Sequence, residues 1–294
     1  MATTTTTLVV PKASDRARLR RRSSERPNIL GGFAGWVWLA IIVLPVYYIV
    51  VTSLKRQADY FAQNPLALPM NPTLENYVAV LQADFFRYFL NSVLITVGAV
   101  VPTVALSFMA AYAIVRGRGK FLKVVNTTFL LGLAIPLQAT IIPVYLIIIR
   151  LHLYDSLLAI VLPSIAFAIP LSVLLLSNFI RDVPNELFES MRLDGCSEWQ
   201  TMWRLALPLT RPAIVTVSIY NALGVWNGFL LPLVLTQSPE QRVLPLALWT
   251  FQGEFSVNIP AVLACVVLST LPLVVVYVFG RRQLVSGLTA GFSK

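Results

Sequence analysis

Apolar and polar residues fall along this chain in long blocks, without the short alternation of a solvent-facing helix or strand. Six stretches, residues 33–54, 88–115, 124–149, 157–180, 212–236 and 260–280, contain no Asp, Glu, Lys or Arg. As helices rising about 1.5 Å per residue, all six are long enough to cross the ~30 Å hydrocarbon core of a bilayer. The pattern predicts an all-α polytopic membrane protein with six transmembrane helices and both termini on one side. Proline recurs inside these runs, at Pro45, Pro102, Pro136, Pro143, Pro163, Pro170 and Pro272. Each removes a backbone hydrogen bond and tends to kink its helix, which a membrane bundle tolerates when neighbours re-satisfy the backbone.

Composition agrees with the pattern. Hydrophobic residues make up 57% of the 294 and charged residues 12%, against roughly 25% charged in a soluble domain; mean hydropathy is +0.74. The net charge of +10 does not point to nucleic acid, because it collects at the edges of the apolar runs. Eighteen of the 23 Lys and Arg lie on one set of alternate loops, and only Lys55, Arg56, Arg87, Arg150 and Arg242 on the other. The positive-inside rule then makes residues 1–32, 116–123, 181–211 and 281–294 cytoplasmic, with the protein in the inner or plasma membrane.

Residues 1–32 carry a Thr run and six Arg, too polar to bury a core. They predict a disordered basic cytoplasmic leader, and 33–294 predict one membrane domain. The first apolar run exceeds the 7–15 residues of a signal peptide and lacks an A-x-A end, so it reads as a retained helix.

Side-chain chemistry is sparse. His152, Cys196 and Cys265 cannot supply the roughly four ligands of a structural zinc site, and no disulfide framework is indicated. Gly117-Arg118-Gly119-Lys120 lacks the upstream Gly and the Ser or Thr of a phosphate-binding loop. No metal, cofactor or catalytic residue is therefore assigned. With no acid or base inside the apolar runs, a proton relay has nothing to run on.

Residues 181–211 form the longest cytoplasmic loop, and it reads as structured. Pro184 suits the first turn of a helix; Gly195 fits the left-handed position just past its end. Ser197 with Gln200 forms a capping box that opens a second helix. That helix is expected to stop at Pro208, with Pro212 starting the next span. Leu187 with Met191, and Phe188 with Arg192, give stripes that need a membrane surface or a partner to cover them. Asp194 sits where the helix macrodipole disfavours an anion, so it calls for a compensating donor.

Glu189-Ser190-Met191-Arg192-Leu193-Asp194-Gly195-Cys196, followed by Leu207-Pro208-Leu209 and Pro212, resembles the EAA loop of binding-protein-dependent ABC importer permeases. The family motif is E-A-A-x-x-D-G-A, then L-P-x-x-x-P; Ser190, Met191 and Cys196 replace its alanines. Over residues 34–294 the resemblance points to the carbohydrate branch. Asn91-Ser92 resembles the family's N-S, Arg181 to Glu189 its R-x-I-P-x-E-L-x-E, with Val183 in place of the Ile, and Trp226-Asn227-Gly228-Phe229 its W-N-x-F. Gly287 to Lys294 resembles the ending of the smaller membrane subunit of maltose permeases.

The resemblance implies a type I importer (MetI-like) bundle and a sugar permease that is not itself an enzyme. Its expected partners are a second homologous permease, two ABC ATPase subunits and an extracytoplasmic sugar-binding protein, with ATP bound only by the ATPase. It implies an ATPase-coupling role for Glu189, Ser190, Met191, Leu193, Asp194, Gly195, Cys196, Pro208 and Pro212. Trp226, Asn227, Gln138 and Asn91 are candidates for the translocation path, with Thr140 beside them. For Trp226 and Asn227 the alternative is a helix–helix contact. Two other classes stay open at this point, a secondary carrier or channel and a membrane-embedded scaffold.

Overall fold

The computed structural model describes residues 29–251 and 257–290, which form helices joined by turns and short irregular connections, with an isolated bridge residue at Val257. The leader lies outside the described residues up to position 28; Ile29–Gly32 are already helical. The C-terminal Gly-Phe-Ser-Lys likewise lies outside them.

The first apolar run folds as α1 (Ile29–Ser53). Up to Tyr48 it forms a unit by itself, with Trp36 and Trp38 exposed among an apolar surface that runs all round. A helix apolar on every face belongs in lipid.

The second unit, from Ile49 onward, holds the rest. Two short helices, α2 (Gln57–Ala62) and α3 (Glu75–Gln82), precede α4 (Phe85–Arg116), which continues through Pro102. Then come α5 (Lys120–Gly132), α6 (Leu137–Arg150) and α7 (Leu157–Arg181). α8 (Asn185–Leu193) and α9 (Glu198–Thr201) lead through a π-helical turn, Met202–Ala206, into α10 (Leu207–Leu209). α11 (Arg211–Trp226), α12 (Leu230–Leu235), α13 (Leu244–Ala247) and α14 (Ile259–Ala290) complete the chain.

All six apolar runs map onto helix, but not each onto one straight rod. Among the described residues, α1, α4 and α7 are long and apolar enough to cross a membrane singly. The third run bends by 105° between α5 and α6. Pro136 is the cause: it disfavours helix at the residue before it and itself takes an extended ψ of 132°. Gly132, just before the bend, lets α5 approach α7, since a Cβ there would meet Pro170 at 3.1 Å. The fifth run, expected to be continuous over 212–236, stops at Trp226 and restarts at Leu230.

Three apolar clusters fill the interior. One gathers Phe108, Val173, Leu176, Phe188, Ala206 and Val217; a second Ile95, Ile148, Ile160, Leu231 and Val243; a third Val80, Tyr88, Trp226, Leu244 and Cys265. Helix α4 contributes buried residues to all three, which makes it the spine of this unit.

Candidate functional site

The 181–211 loop closes as a helix–turn–helix. Beyond α8, Gly195 takes φ +76°. The Cys196 N–H bonds back to the Met191 carbonyl at 2.9 Å, and the Gly195 N–H to the Arg192 carbonyl at 3.0 Å. These are the paired bonds of a Schellman stop. A Cβ at 195 would meet nothing within 4 Å, so it is the backbone angle, not space, that selects glycine. The capping box is present in full: Ser197 Oγ accepts the Gln200 N–H, and Gln200 Oε1 accepts the Ser197 N–H.

Pro208 does not stop the second helix. It lies within α10, and the chain stays helical to Thr210 before α11 begins with Pro212 in its first turn. The missing N–H and the ring's clash with the carbonyl four residues back are accommodated by the preceding π-turn. Its wider ring is closed by Leu207 N–H reaching the Met202 carbonyl.

The inner side of the loop is fastened to the end of α4. Phe188 is 1% exposed, with the Arg116 guanidinium 4.0 Å from its ring centroid and Tyr112 beside it. Arg116 donates to Asn185 Oδ1 at 2.8 Å, and Tyr112 Oη donates to Glu198 Oε2 at 2.8 Å. Glu198 Oε1 accepts from Arg192 Nε at 3.0 Å and Nη2 at 2.6 Å. The Arg192 bond holds the Glu198 carboxyl below the usual carboxylate range against the upward push of burial, with the Tyr112 hydroxyl adding a lesser downward pull. No local spacing signals the two ties to α4, whose partners lie 69 and 86 residues apart.

The outer side is free. Glu189, Ser190 and Asp194 are exposed, Met191 and Cys196 half-buried. Leu193 and Trp199 are 89% and 61% exposed. Asp194 caps α8 with φ −73°, and among the described residues its carboxylate has no hydrogen-bond partner. The donor expected for it is absent from this chain's own described residues. A cleft of about 480 Å³ opens beside Trp199, walled by Met109, Arg116, Leu122 and Met202.

The path candidates separate. Trp226 is buried, donating Nε1 to the Ser269 carbonyl at 3.3 Å and meeting Phe89 edge-on. Asn227 is exposed, its amide returning to the Leu223 carbonyl at 2.9 Å. Both line a cavity of about 190 Å³ with Leu244, Leu248, Ser269 and Thr270. The non-helical backbone at 227–229 lies well inside an apolar run, and such breaks persist at membrane depth only where protein buries them or a wet cavity adjoins. Gln138 is exposed on α6, and the Thr140 hydroxyl turns back to the Leu137 carbonyl. Asn91 is drawn elsewhere: it is 8% exposed, and its amide donates to the Glu240 and Arg242 carbonyls, each at 2.8 Å. Ser92 beside it accepts the Leu244 N–H.

Two contacts had no foreshadowing in the sequence reading. Asn221, buried in α11, donates to Ser172 Oγ of α7 at 2.8 Å. Asp155, with φ +59°, accepts from the Gln237 and Ser238 N–H groups and from the Ser238 hydroxyl. The Ser238 hydroxyl first, then these two N–H groups, hold the Asp155 carboxyl below its ordinary range.

Comparison with known proteins agrees with this architecture. A diacetylchitobiose uptake system permease protein, DasC, of Streptomyces coelicolor is 33% identical over 254 residues, which is 86% of this chain and 92% of that one. A bacterial ABC transporter that imports the acidic polysaccharide alginate shares the fold. The match has TM-score 0.76 at 22% identity, over 94% of this chain and 99% of that one. The alginate ABC transporter in complex with its pentasaccharide-bound periplasmic protein gives TM-score 0.63 at 16% identity, over 86% and 92%. Residues 78–288 match the family of binding-protein-dependent transport system inner membrane components, and the chain belongs to that family.

Proposed function

We propose that this chain is one permease half of an ATP-driven ABC importer for sugars, a transport subunit and not an enzyme. The observation that carries the reading is the 181–211 loop. Its inner side is locked to α4, while Glu189, Leu193, Asp194 and Trp199 stand outward on a rigid, doubly capped frame. A carboxylate that no described residue pairs, beside exposed Leu and Trp, is a surface built for another protein, since isolated apolar groups of this size gain by leaving water.

The ATPase is the partner this surface fits, and the matched family's dependence on a binding protein supports the rest of the assembly. That assembly is a second homologous permease, two ATPase subunits and an extracytoplasmic sugar-binding protein. This chain holds no cofactor; ATP is bound by the partner. The split of eighteen cations to five supports a cytoplasmic position for both termini and the coupling loop. The break at Trp226–Phe229, with its cavity, is the stretch of translocation path this half supplies. There Trp226 offers an apolar ring edge and the exposed Asn227 an amide for a hydroxyl. Sugar as substrate draws support from the saccharides named for the similar permease and for the alginate importer.

Proteoliposomes carrying the complete assembly and its binding protein should accumulate diacetylchitobiose, or another saccharide offered in a panel, only when ATP reaches the ATPase side. Uptake should survive collapse of the proton gradient. Accumulation by this chain without an ATPase, driven by a proton or sodium gradient, would overturn the reading.

A further inference from the structure

Helix α4 is tied by side chains at both ends. Near its start, Asn91 and Ser92 hold the backbone of Glu240, Arg242 and Leu244 through three hydrogen bonds of 2.8–2.9 Å. Near its finish, Tyr112 holds Glu198 and Arg116 holds Asn185, each at 2.8 Å. The 21 residue steps from Asn91 to Tyr112 make about 31 Å of helix, close to the thickness of the hydrocarbon core. Between the ties α4 is embedded, giving buried side chains to two of the three clusters and packing Val93 against the third. Packed interiors are close to incompressible, so a displacement at one end of such a helix arrives at the other.

The two ties at the far end are not equivalent. Among the described residues, the hydrogen bond and the ring contact of Arg116 both go to α8, through Asn185 and Phe188. Tyr112 reaches Glu198 at the start of α9, and Glu198 is itself gripped by Arg192 of α8. One hydroxyl therefore holds both arms of the helix–turn–helix. Tyr112 is 6% exposed, and a hydrogen bond to a carboxylate gains strength when shielded from water. At position 112 phenylalanine would keep the packing on Phe188 and lose only this grip.

We infer that α4 is the rod linking the 236–244 segment on one face of the bundle to the 181–211 loop on the other, and that Tyr112 is the positioning residue at its coupling-loop end. Under the proposed function, on which this rests, the 236–244 segment faces the binding protein and the loop faces the ATPase. The rod would then report a loaded binding protein to the site of ATP hydrolysis.

Two measurements test it. In the complete assembly, Tyr112→Phe should leave basal ATP hydrolysis unchanged. It should cut the stimulation given by sugar-loaded binding protein by about tenfold, the worth of one charge-assisted hydrogen bond. Unchanged stimulation overturns the inference, as does a fall of basal and stimulated rates in the same proportion, which marks a merely structural tyrosine. The second measurement uses the full chain in inside-out vesicles with no ATPase, where native Cys196 reports on the loop. Asn91→Ala, at the far end of α4, should change the rate at which a maleimide labels Cys196, and adding Tyr112→Phe should abolish that change. A Cys196 rate indifferent to Asn91→Ala sinks the rod even if ATP-driven import is established. A rate that responds keeps the rod even if it is not.

Discussion

At Gly195 a single backbone angle decides the shape of the loop. With φ at +76° and both Schellman bonds formed, any β-branched side chain there must either accept strain or release the turn. Gly195→Val should cost on the order of 1–3 kcal/mol locally, with no steric clash to blame, since space around the Cβ is open. The expected outcome is normal membrane insertion with substrate uptake and substrate-stimulated ATP hydrolysis falling together. Full coupling in an inserted Gly195→Val protein would reduce Gly195 to an ordinary loop residue. This position was legible in the sequence, as were Ser197 and Gln200, because caps are set by neighbours three or four residues away. Tyr112 and Arg116 were not. A tyrosine in an apolar run looks the same whether its hydroxyl meets lipid headgroups, water or a carboxylate 86 residues on.

Elements differ from residues in that hydropathy reports their depth but not their continuity. All six apolar runs were visible, yet the break after Trp226 and the 105° bend at Pro136 left the apolar count untouched. Proline gave no reliable punctuation either. Pro102 and Pro170 sit inside unbroken helices, and Pro208 is absorbed by a π-turn, whereas Pro136 divides its run. What separates them is whether neighbouring turns can re-satisfy the backbone, a tertiary matter.

The loop between α6 and α7 shows an element held from outside. Asp155 clamps it to residues 237–238 through three hydrogen bonds. Its folded-state pKa is lowered, so the clamp is at full strength above the ordinary carboxylate range near about 4. It weakens as pH falls through the lowered folded value. Asp155→Asn should cost on the order of 1–2 kcal/mol after solvent screening. That is about tenfold in hydrogen-exchange protection of the Gln237 and Ser238 amides at pH 7. Wild type and variant should converge once acid has protonated Asp155; equal protection at pH 7 would dispose of the clamp.

For the whole molecule the decisive property is which face meets which compartment, and here the charge split and the structure can be tested together. The 116–123 and 181–211 segments lie at one end of α4, joined by the Arg116–Asn185 and Tyr112–Glu198 bonds. The 236–244 segment lies at the other, joined by Asn91 and Ser92. These two ends must therefore fall on opposite sides of the bilayer if α4 crosses it. The cation-rich side, taken as cytoplasmic, includes Cys196. A reporter for the opposite side should avoid Ser238, whose hydroxyl is engaged by Asp155. Glu240 is exposed, and among the described residues it is its backbone carbonyl, which a Cys keeps, that accepts from Asn91. In intact cells an impermeant maleimide should label Glu240→Cys within minutes and leave Cys196 unlabelled. Permeabilising the membrane should then expose Cys196, more slowly because it is half-buried. Labelling of Cys196 in intact cells would invert the proposed assembly, placing the proposed coupling surface where no ATP reaches it.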